Sequence, residues 1–285
     1  MESQSVPEFL FRYRSDDTPY FWDELEKAVE SRQFYFASAE RLNDPFEIKP
    51  SIARPSSEVF LNILKAKYGK NPVISRKTIE KVHGEKLSRQ THRKKLKDFA
   101  PSIDVAKWML EQMEQTFTKL NSSTRVVCFN ETSMSLPMWA HYANNHQGVC
   151  LSFELNPQEH TKPDFAPLRV SYSSERPILD IGEFVSANMD QKGFSAADEM
   201  RFVSATYLTK SSDWSYEREW RAFDNGGRVA GYERMSVLKP YSIILGMNVS
   251  KSLKDQVIEK FGRQLRLLES QPVRDKYALA FKELN

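Results

Sequence analysis

Two glutamates one residue apart, Glu217 and Glu219, form the pair in this chain whose spacing could support acid–base chemistry. They lie in Lys210 to Phe223, KSSDWSYEREWRAF. In an extended chain the side-chain period is two, so Glu217, Glu219, Arg221 and Phe223 point to one side of a strand. Tyr216, Arg218, Trp220 and Ala222 then point to the other. Like charges that close raise the proton affinity of one carboxyl, which suits a group that must contact hydroxyls. The same residues also fit a surface strand in which Arg221 and neighbouring cations pair with the glutamates.

A second set lies in Arg125 to Leu155, RVVCFNETSMSLPMWAHYANNHQGVCLSFEL. Arg125 to Phe129 is short, apolar and rich in β-formers, and the polar run Asn130 to Ser135 suits a turn. Ser135 with Pro137 marks a helix start, and Gly148 the stop. On that helix Trp139, Tyr142 and His146 share a face, whereas His141 lies about 200° from Trp139. These residues predict either core packing or an aromatic shelf for a planar ligand. Five-residue spacing keeps His141 and His146 from facing one metal, so no metal is expected. From Val149 the period returns to two, a half-buried strand.

A third set is the early strand Phe9 to Ser15, which sends Arg12 and Arg14 to one side. They are either solvated or form a fork for a phosphate or carboxylate. In RLNDPFE (41 to 47), Asn43, Asp44 and Pro45 predict a tight turn. A metal-dependent nuclease built from Asp44, Glu47, His141 or His146 is a further alternative, with the basic run 89 to 97 holding phosphates. That run also reads as a solvated helix face.

The elements that must position these groups follow from periodicity. Asp23 to Ser31 is an amphipathic helix and Gln33 to Ala39 a strand. Residues 52 to 122 form a lysine-rich helical insertion within a single domain, 1 to 285. Leu168 to Tyr172 is a short strand, Pro177 to Ala205 mostly helix, Tyr241 to Met247 a buried strand and Lys251 to Gly262 a closing helix. Gly226 and Gly227 mark a hairpin turn. The expected fold is α+β, a mixed and mostly antiparallel sheet of six to eight strands with flanking helices. The site is expected where the Arg12/Arg14 strand, the Trp139 helix and the Glu217/Glu219 strand converge. Arg14 and Glu219 on opposite sides of the molecule would discard any transferase chemistry that needs both.

Composition narrows the function classes. Forty-one basic against 38 acidic residues give a formal charge of +3, too balanced to imply a nucleic-acid or membrane surface by bulk charge. Two cysteines, Cys128 and Cys150, and no apolar run near membrane-span length predict a soluble cytoplasmic protein with ordinary thiols.

With these residues in view, the chain resembles a bacterial family known as domain of unknown function 2971. The matching pieces are FRYRS (11 to 15), FYFASAERLNDPFE (34 to 47), CFNE (128 to 131), MWAHYANNHQGVCLSFE (138 to 154), VSY (170 to 172), WSYEREWR (214 to 221) and IILG (243 to 246). It more remotely resembles ADP-ribosyltransferases in the order of an early arginine, a central Glu131-Thr132-Ser133 segment and a late Glu217-x-Glu219. That resemblance implies an ADP-ribosyltransferase-like fold and NAD as substrate, in phage defence or as a toxin. Arg12 or Arg14 would grip the dinucleotide, and Thr132 and Ser133 would support the nicotinamide pocket with Tyr142 as a stacking partner. Glu219 would contact the nicotinamide ribose, and Glu217 would orient the acceptor. The alternative is a non-enzymatic module that binds a nucleotide or a protein.

Overall fold

The computed structural model describes residues 6–68, 88, 103–156, 165–183 and 196–284. In chain order its elements are strand β1 (Phe9–Arg14), helix α1 (Phe21–Glu26), β2 (Gln33–Ser38), β3 (Ser51–Ala53), α2 (Ser57–Tyr68), α3 (Ile103–Ser123) and β4 (Arg125–Asn130). Next come α4 (Leu136–Tyr142), β5 (Val149–Leu155), β6 (Leu168–Arg169), β7 (Ser171–Ser173), β8 (Ile178–Asp180), α5 (Ala196–Tyr207) and β9 (Thr209–Ser211). The chain closes with β10 (Glu219–Asp224), β11 (Gly231–Arg234), β12 (Leu238–Leu245), α6 (Lys251–Phe261), β13 (Arg266–Pro272) and β14 (Leu279–Glu283).

These elements fall into two compact units, residues 1–43, 123–174 and 210–285 in the first and 44–122 with 175–209 in the second. The first is built on a ten-stranded sheet in the order β11-β2-β4-β1-β5-β12-β13-β14, with β10 and β6 reached through β4. Its pairings are antiparallel except β12 with β13, which α6 separates in sequence. The architecture is the expected α+β one, but the sheet exceeds six to eight strands. β13 and β14, RLLESQP and LAFKE, mix charged and polar residues into the alternation and lie at the sheet's end, where little apolar patterning is needed.

Strand alternation divides the side chains between two faces. Leu10, Phe129, Leu151, Phe153, Trp220 and Ile243 pack on one face with α1 and α6. Tyr13, Cys150 and Ile244 pack on the other with Met138 and Trp139 of α4. Burying each of the larger apolar side chains stabilises the fold by about 1.5–3 kcal/mol relative to exposure. The pairings Phe11↔Asn130, Glu219↔Asn130 and Arg221↔Cys128 carry the face assignment from strand to strand.

Local chemistry alters several expected elements. The helix predicted from Ser135 to Gly148 ends at Tyr142, because Asn144, Asn145 and His146 take positive φ of 45°, 50° and 67°. Asparagine tolerates that conformation better than most residues. Gly148 serves close packing instead, since a Cβ there would lie 2.1 Å from the Arg14 carbonyl oxygen. DNGG does turn, with Asp224 Oδ1 accepting from the Gly226 amide at 2.9 Å and Gly227 at φ 74°. The hairpin fails: the next strand, β11, pairs with β2, not β10. The expected helix from Pro177 begins instead with β8, whereas the closing helix forms as expected, Lys251–Phe261 with Gly262 as its C-cap.

In the second unit β3 and β8 pair in parallel, and Phe60, Leu61, Ala106, Leu110 and Ile181 form its core. Arg54 pairs with Glu114 at 3.2 Å. The basic run 89 to 97 lies outside the described residues. Among the described residues, no helix is long and apolar enough to cross a membrane.

Candidate functional site

Glu217 and Glu219 do come together, by a route the strand pattern does not contain. Ser212–Glu217 is a 3-10 turn, so Glu217 stands before the strand and Glu219 begins it. Between them Arg218 adopts φ 44° and ψ 55°, a left-handed conformation that costs a non-glycine residue of order 1 kcal/mol or more. Asn130 holds the turn by donating Nδ2 to the Glu217 carbonyl at 2.8 Å. The Tyr172 hydroxyl accepts from the Glu219 amide, also at 2.8 Å.

Two cations complete the cluster. Lys210 on β9 donates Nζ to Glu217 Oε2 at 2.5 Å and to Glu219 Oε2 at 3.3 Å. Arg221, two residues along β10, donates Nη2 to both oxygens of Glu219 at 2.8 and 2.7 Å and Nε to one of them at 2.9 Å. Glu217 and Glu219 are 3 % and 2 % exposed, and Arg221 is fully buried. Two positive and two negative charges thus share one interior site, which offsets desolvation through short, charge-assisted bonds.

The two carboxyls respond differently. Burial lifts Glu217 above the ordinary carboxylate range, against the pull of Lys210. For Glu219 burial again pushes upward, but Arg221 and Lys210 outweigh it and hold the group below its usual value. The raised proton affinity expected of one member therefore falls on Glu217, with desolvation rather than carboxyl repulsion as its first cause.

Around Glu217 the cluster opens to the surface through aromatic residues. Tyr142 donates its hydroxyl to Glu217 Oε1 at 2.7 Å and accepts from Asn43 Nδ2 at 3.3 Å. Burial and the neighbouring carboxylate keep that phenol protonated well beyond its ordinary range. Exposed His141 places Nδ1 3.2 Å from the Tyr216 hydroxyl, with ring centroids 6.1 Å apart. Trp214 lies 6.1 Å from Tyr216 and takes Lys210 Nζ at 4.9 Å from its ring centre.

The remaining expected site residues lie elsewhere. Arg12 and Arg14 share the face of Leu10, where Arg14 pairs with Glu24 of α1 at 2.7 Å. Glu219 and Arg221 follow the opposite parity, since Trp220 and Ala222 between and beside them join the Leu10 core. The sheet therefore separates Arg12 and Arg14 from the glutamates, and the expected convergence does not form. Pairing register, a long-range property, decides this.

Thr132 and Ser133 serve the backbone. Thr132 Oγ1 accepts from the Met134 amide at 3.0 Å and its carbonyl accepts from the Tyr13 hydroxyl at 2.9 Å. The Ser133 carbonyl accepts from Trp139 Nε1 at 2.7 Å. Trp139 is core, fully buried, and stacks on His146 at 5.8 Å and 8°. His146 thus stays beside Trp139 through the left-handed turn rather than a helical face, and burial lowers its pKa. Glu131 accepts from Trp220 Nε1 at 2.7 Å and pairs with Arg169. Asp44, in the second unit, makes its turn by accepting from the Phe46 amide at 2.8 Å. Among the described residues no group of three or more His, Cys, Asp and Glu could hold a metal ion, and neither Cys128 nor Cys150 forms a disulfide.

Sequence reasoning missed Lys210, Tyr172 and Asn130. Lys210 had one signal, a lone lysine opening a run dense in acids and aromatics, but nothing local says that its ammonium turns inward.

Residues 138–222 match a family model described as protein of unknown function (DUF2971), the family that the sequence resembles. That stretch contains Tyr142, Tyr172, Lys210, Glu217, Glu219 and Arg221 together. No curated protein and no solved structure matches the chain.

Proposed function

We propose that the protein is a binding module for a nucleoside-class ligand, a planar ring carrying N–H or O–H donors, held at the aromatic rim over Glu217. The observation that carries this reading is the hydrogen-bond polarity at Tyr142. Its proton is committed to Glu217, so the phenolic oxygen presents an acceptor lone pair outward, where Asn43 now donates. A base N–H or ribose O–H can take that place, while Tyr216, Trp214 and His141 supply ring faces and edges. Glu219 favours binding over turnover. Both its oxygens are engaged by Arg221 and Lys210, which leaves no free carboxylate edge for a developing oxocarbenium ion. The separation of Arg12 and Arg14 likewise removes the dinucleotide grip that an ADP-ribosyltransferase would use.

Titration of the protein with adenosine, ADP-ribose and NAD, followed by tryptophan fluorescence and calorimetry, tests this proposal. Saturable binding is expected to weaken about tenfold in Tyr142→Phe, the loss of roughly one hydrogen bond with its polarity, and to disappear in Tyr216→Ala. Absence of binding to every probe by folded protein removes the module. Release of nicotinamide from NAD, lost in Glu219→Gln, replaces it with the transferase.

A further inference from the structure

The turn at Asn43-Asp44-Pro45 uses only one of its two polar side chains. Asp44 Oδ1 accepts from the Phe46 amide at 2.8 Å and the Asp44 carbonyl from the Glu47 amide at 3.2 Å, so the turn closes without the Asn43 side chain. Asn43 instead reaches Tyr142, 99 positions along the chain, with Nδ2 3.3 Å from the phenolic oxygen. Its backbone is fixed from the other side by the 3-10 turn Ala39–Arg41, where the Ala39 amide donates to the Thr124 carbonyl at 2.9 Å. The direction of the Asn43 amide follows from its partner. The Tyr142 proton lies on the bond to Glu217, so only the NH2 group of Asn43 can face that oxygen. Among the described residues this is the single bond of the Asn43 side chain, which leaves Oδ1 and one Nδ2 hydrogen uncommitted on an exposed residue. A bond of that length in contact with water is weak and exchanges at little net cost.

We propose that Asn43 is the specificity-determining residue of the rim and selects adenine, a base whose exocyclic amino group stands beside a ring-nitrogen acceptor. The inference rests on the nucleoside reading of the rim. Asparagine pairs with the N6 and N7 edge of adenine through both ends of its amide, Oδ1 accepting one N6 hydrogen and Nδ2 donating to N7. The other N6 hydrogen meets the Tyr142 oxygen, whose lone pair faces outward. Together the two side chains call for two donor hydrogens and one acceptor. Hypoxanthine presents acceptors at both O6 and N7, so the Asn43 carbonyl finds no donor on that edge. Tyr216 and Trp214, with ring centroids 6.1 Å apart, supply the aromatic walls.

Calorimetric titration of the protein with adenosine, inosine and 7-deazaadenosine, which lacks the N7 acceptor, tests the assignment. The wild type is expected to bind adenosine about tenfold more tightly than 7-deazaadenosine, the effect of one hydrogen bond, and to discriminate against inosine by more than that. Asn43→Ala weakens adenosine binding about tenfold and binds adenosine and 7-deazaadenosine alike. Asn43→Asp, which keeps an acceptor and loses the donor, serves if the alanine variant does not fold, and binds 7-deazaadenosine no more weakly than adenosine. Unchanged or tighter adenosine binding in Asn43→Ala, a preference for adenosine over 7-deazaadenosine that survives in either variant, or a wild type that does not distinguish the three nucleosides overturns the role of Asn43 while leaving the rim a nucleoside site. Absence of binding to all three by folded wild type removes the nucleoside reading itself, and this inference with it.

Discussion

The two faces of one sheet handle buried charge in opposite ways. On the α4 face Lys210, Glu217, Glu219 and Arg221 form a closed set, two cations on two carboxylates, nearly sealed from water. On the α1 face Arg14 and Glu24 pair at the surface, with side chains 24 % and 19 % exposed, and Arg12 is left with a carbonyl and a ring. The closed set holds structure, because each member depends on the others for its solvation. In the open set one carboxylate, Glu24, acts on both arginines and pairs directly with Arg14. Buried ionic residues therefore do not by themselves mark a catalytic centre.

Breaking the closed set should have the largest effect. Arg221→Met leaves Glu219 in the interior with only its 3.3 Å contact to Lys210 and is expected to cost about 3–5 kcal/mol in chemical denaturation, whereas the double variant Glu219→Leu/Arg221→Met recovers most of it. Equal losses in the single and double variants would show that packing around the pair, not charge, controls stability there. Lys210→Met should cost less, about 1–3 kcal/mol, because Glu217 keeps the Tyr142 hydroxyl and Glu219 keeps Arg221.

On the open face Glu24→Gln should change stability by no more than about 1 kcal/mol, since its partly exposed ion pair is screened by water. The same change leaves Arg14 without its ion-pair partner, which sharpens the contrast between the faces. A loss well above that in chemical denaturation would mean that the pair is held away from water and counts as an interior one.

The smallest effect concerns pH. His146 has its Nδ1 buried without a hydrogen-bond partner among the described residues, and its pKa lies below that of the unfolded chain, about 6.5. The unfolded state therefore binds the proton more readily. The contribution is present above pH 6.5 and is lost as pH falls below it toward the folded value. His146→Gln should flatten this part of the stability curve between pH 7 and 5; an unchanged slope would assign the loss to other groups.

Much of the fold was legible because alternation and turn chemistry are local. The β4, β5 and α6 stretches, the Asp44 turn and the α+β class all follow from period and composition. The α4 helix was overextended because its spacing continues past Tyr142, while the left-handed path of Asn144 to His146 depends on where β5 must begin beside β1. A comparable misreading placed Glu217 and Glu219 in one strand. The pair does meet, but through a 3-10 turn and the left-handed Arg218. Lys210, the residue that joins them, gave no sequence signal of its inward turn.

The sequence by itself determined which residues share a face within one strand: Arg12 with Arg14, and Glu219 with Arg221. It also determined that Tyr142 belongs to an aromatic helix and that the chain's bulk charge is nearly neutral. Only the tertiary structure decided that the arginine pair and the glutamate pair lie on opposite sides of the sheet. Side-chain alternation is set every two residues along a strand, but the face that one strand shares with another depends on pairing register between residues up to about a hundred or more positions apart. Burial of the two apolar faces selects that register.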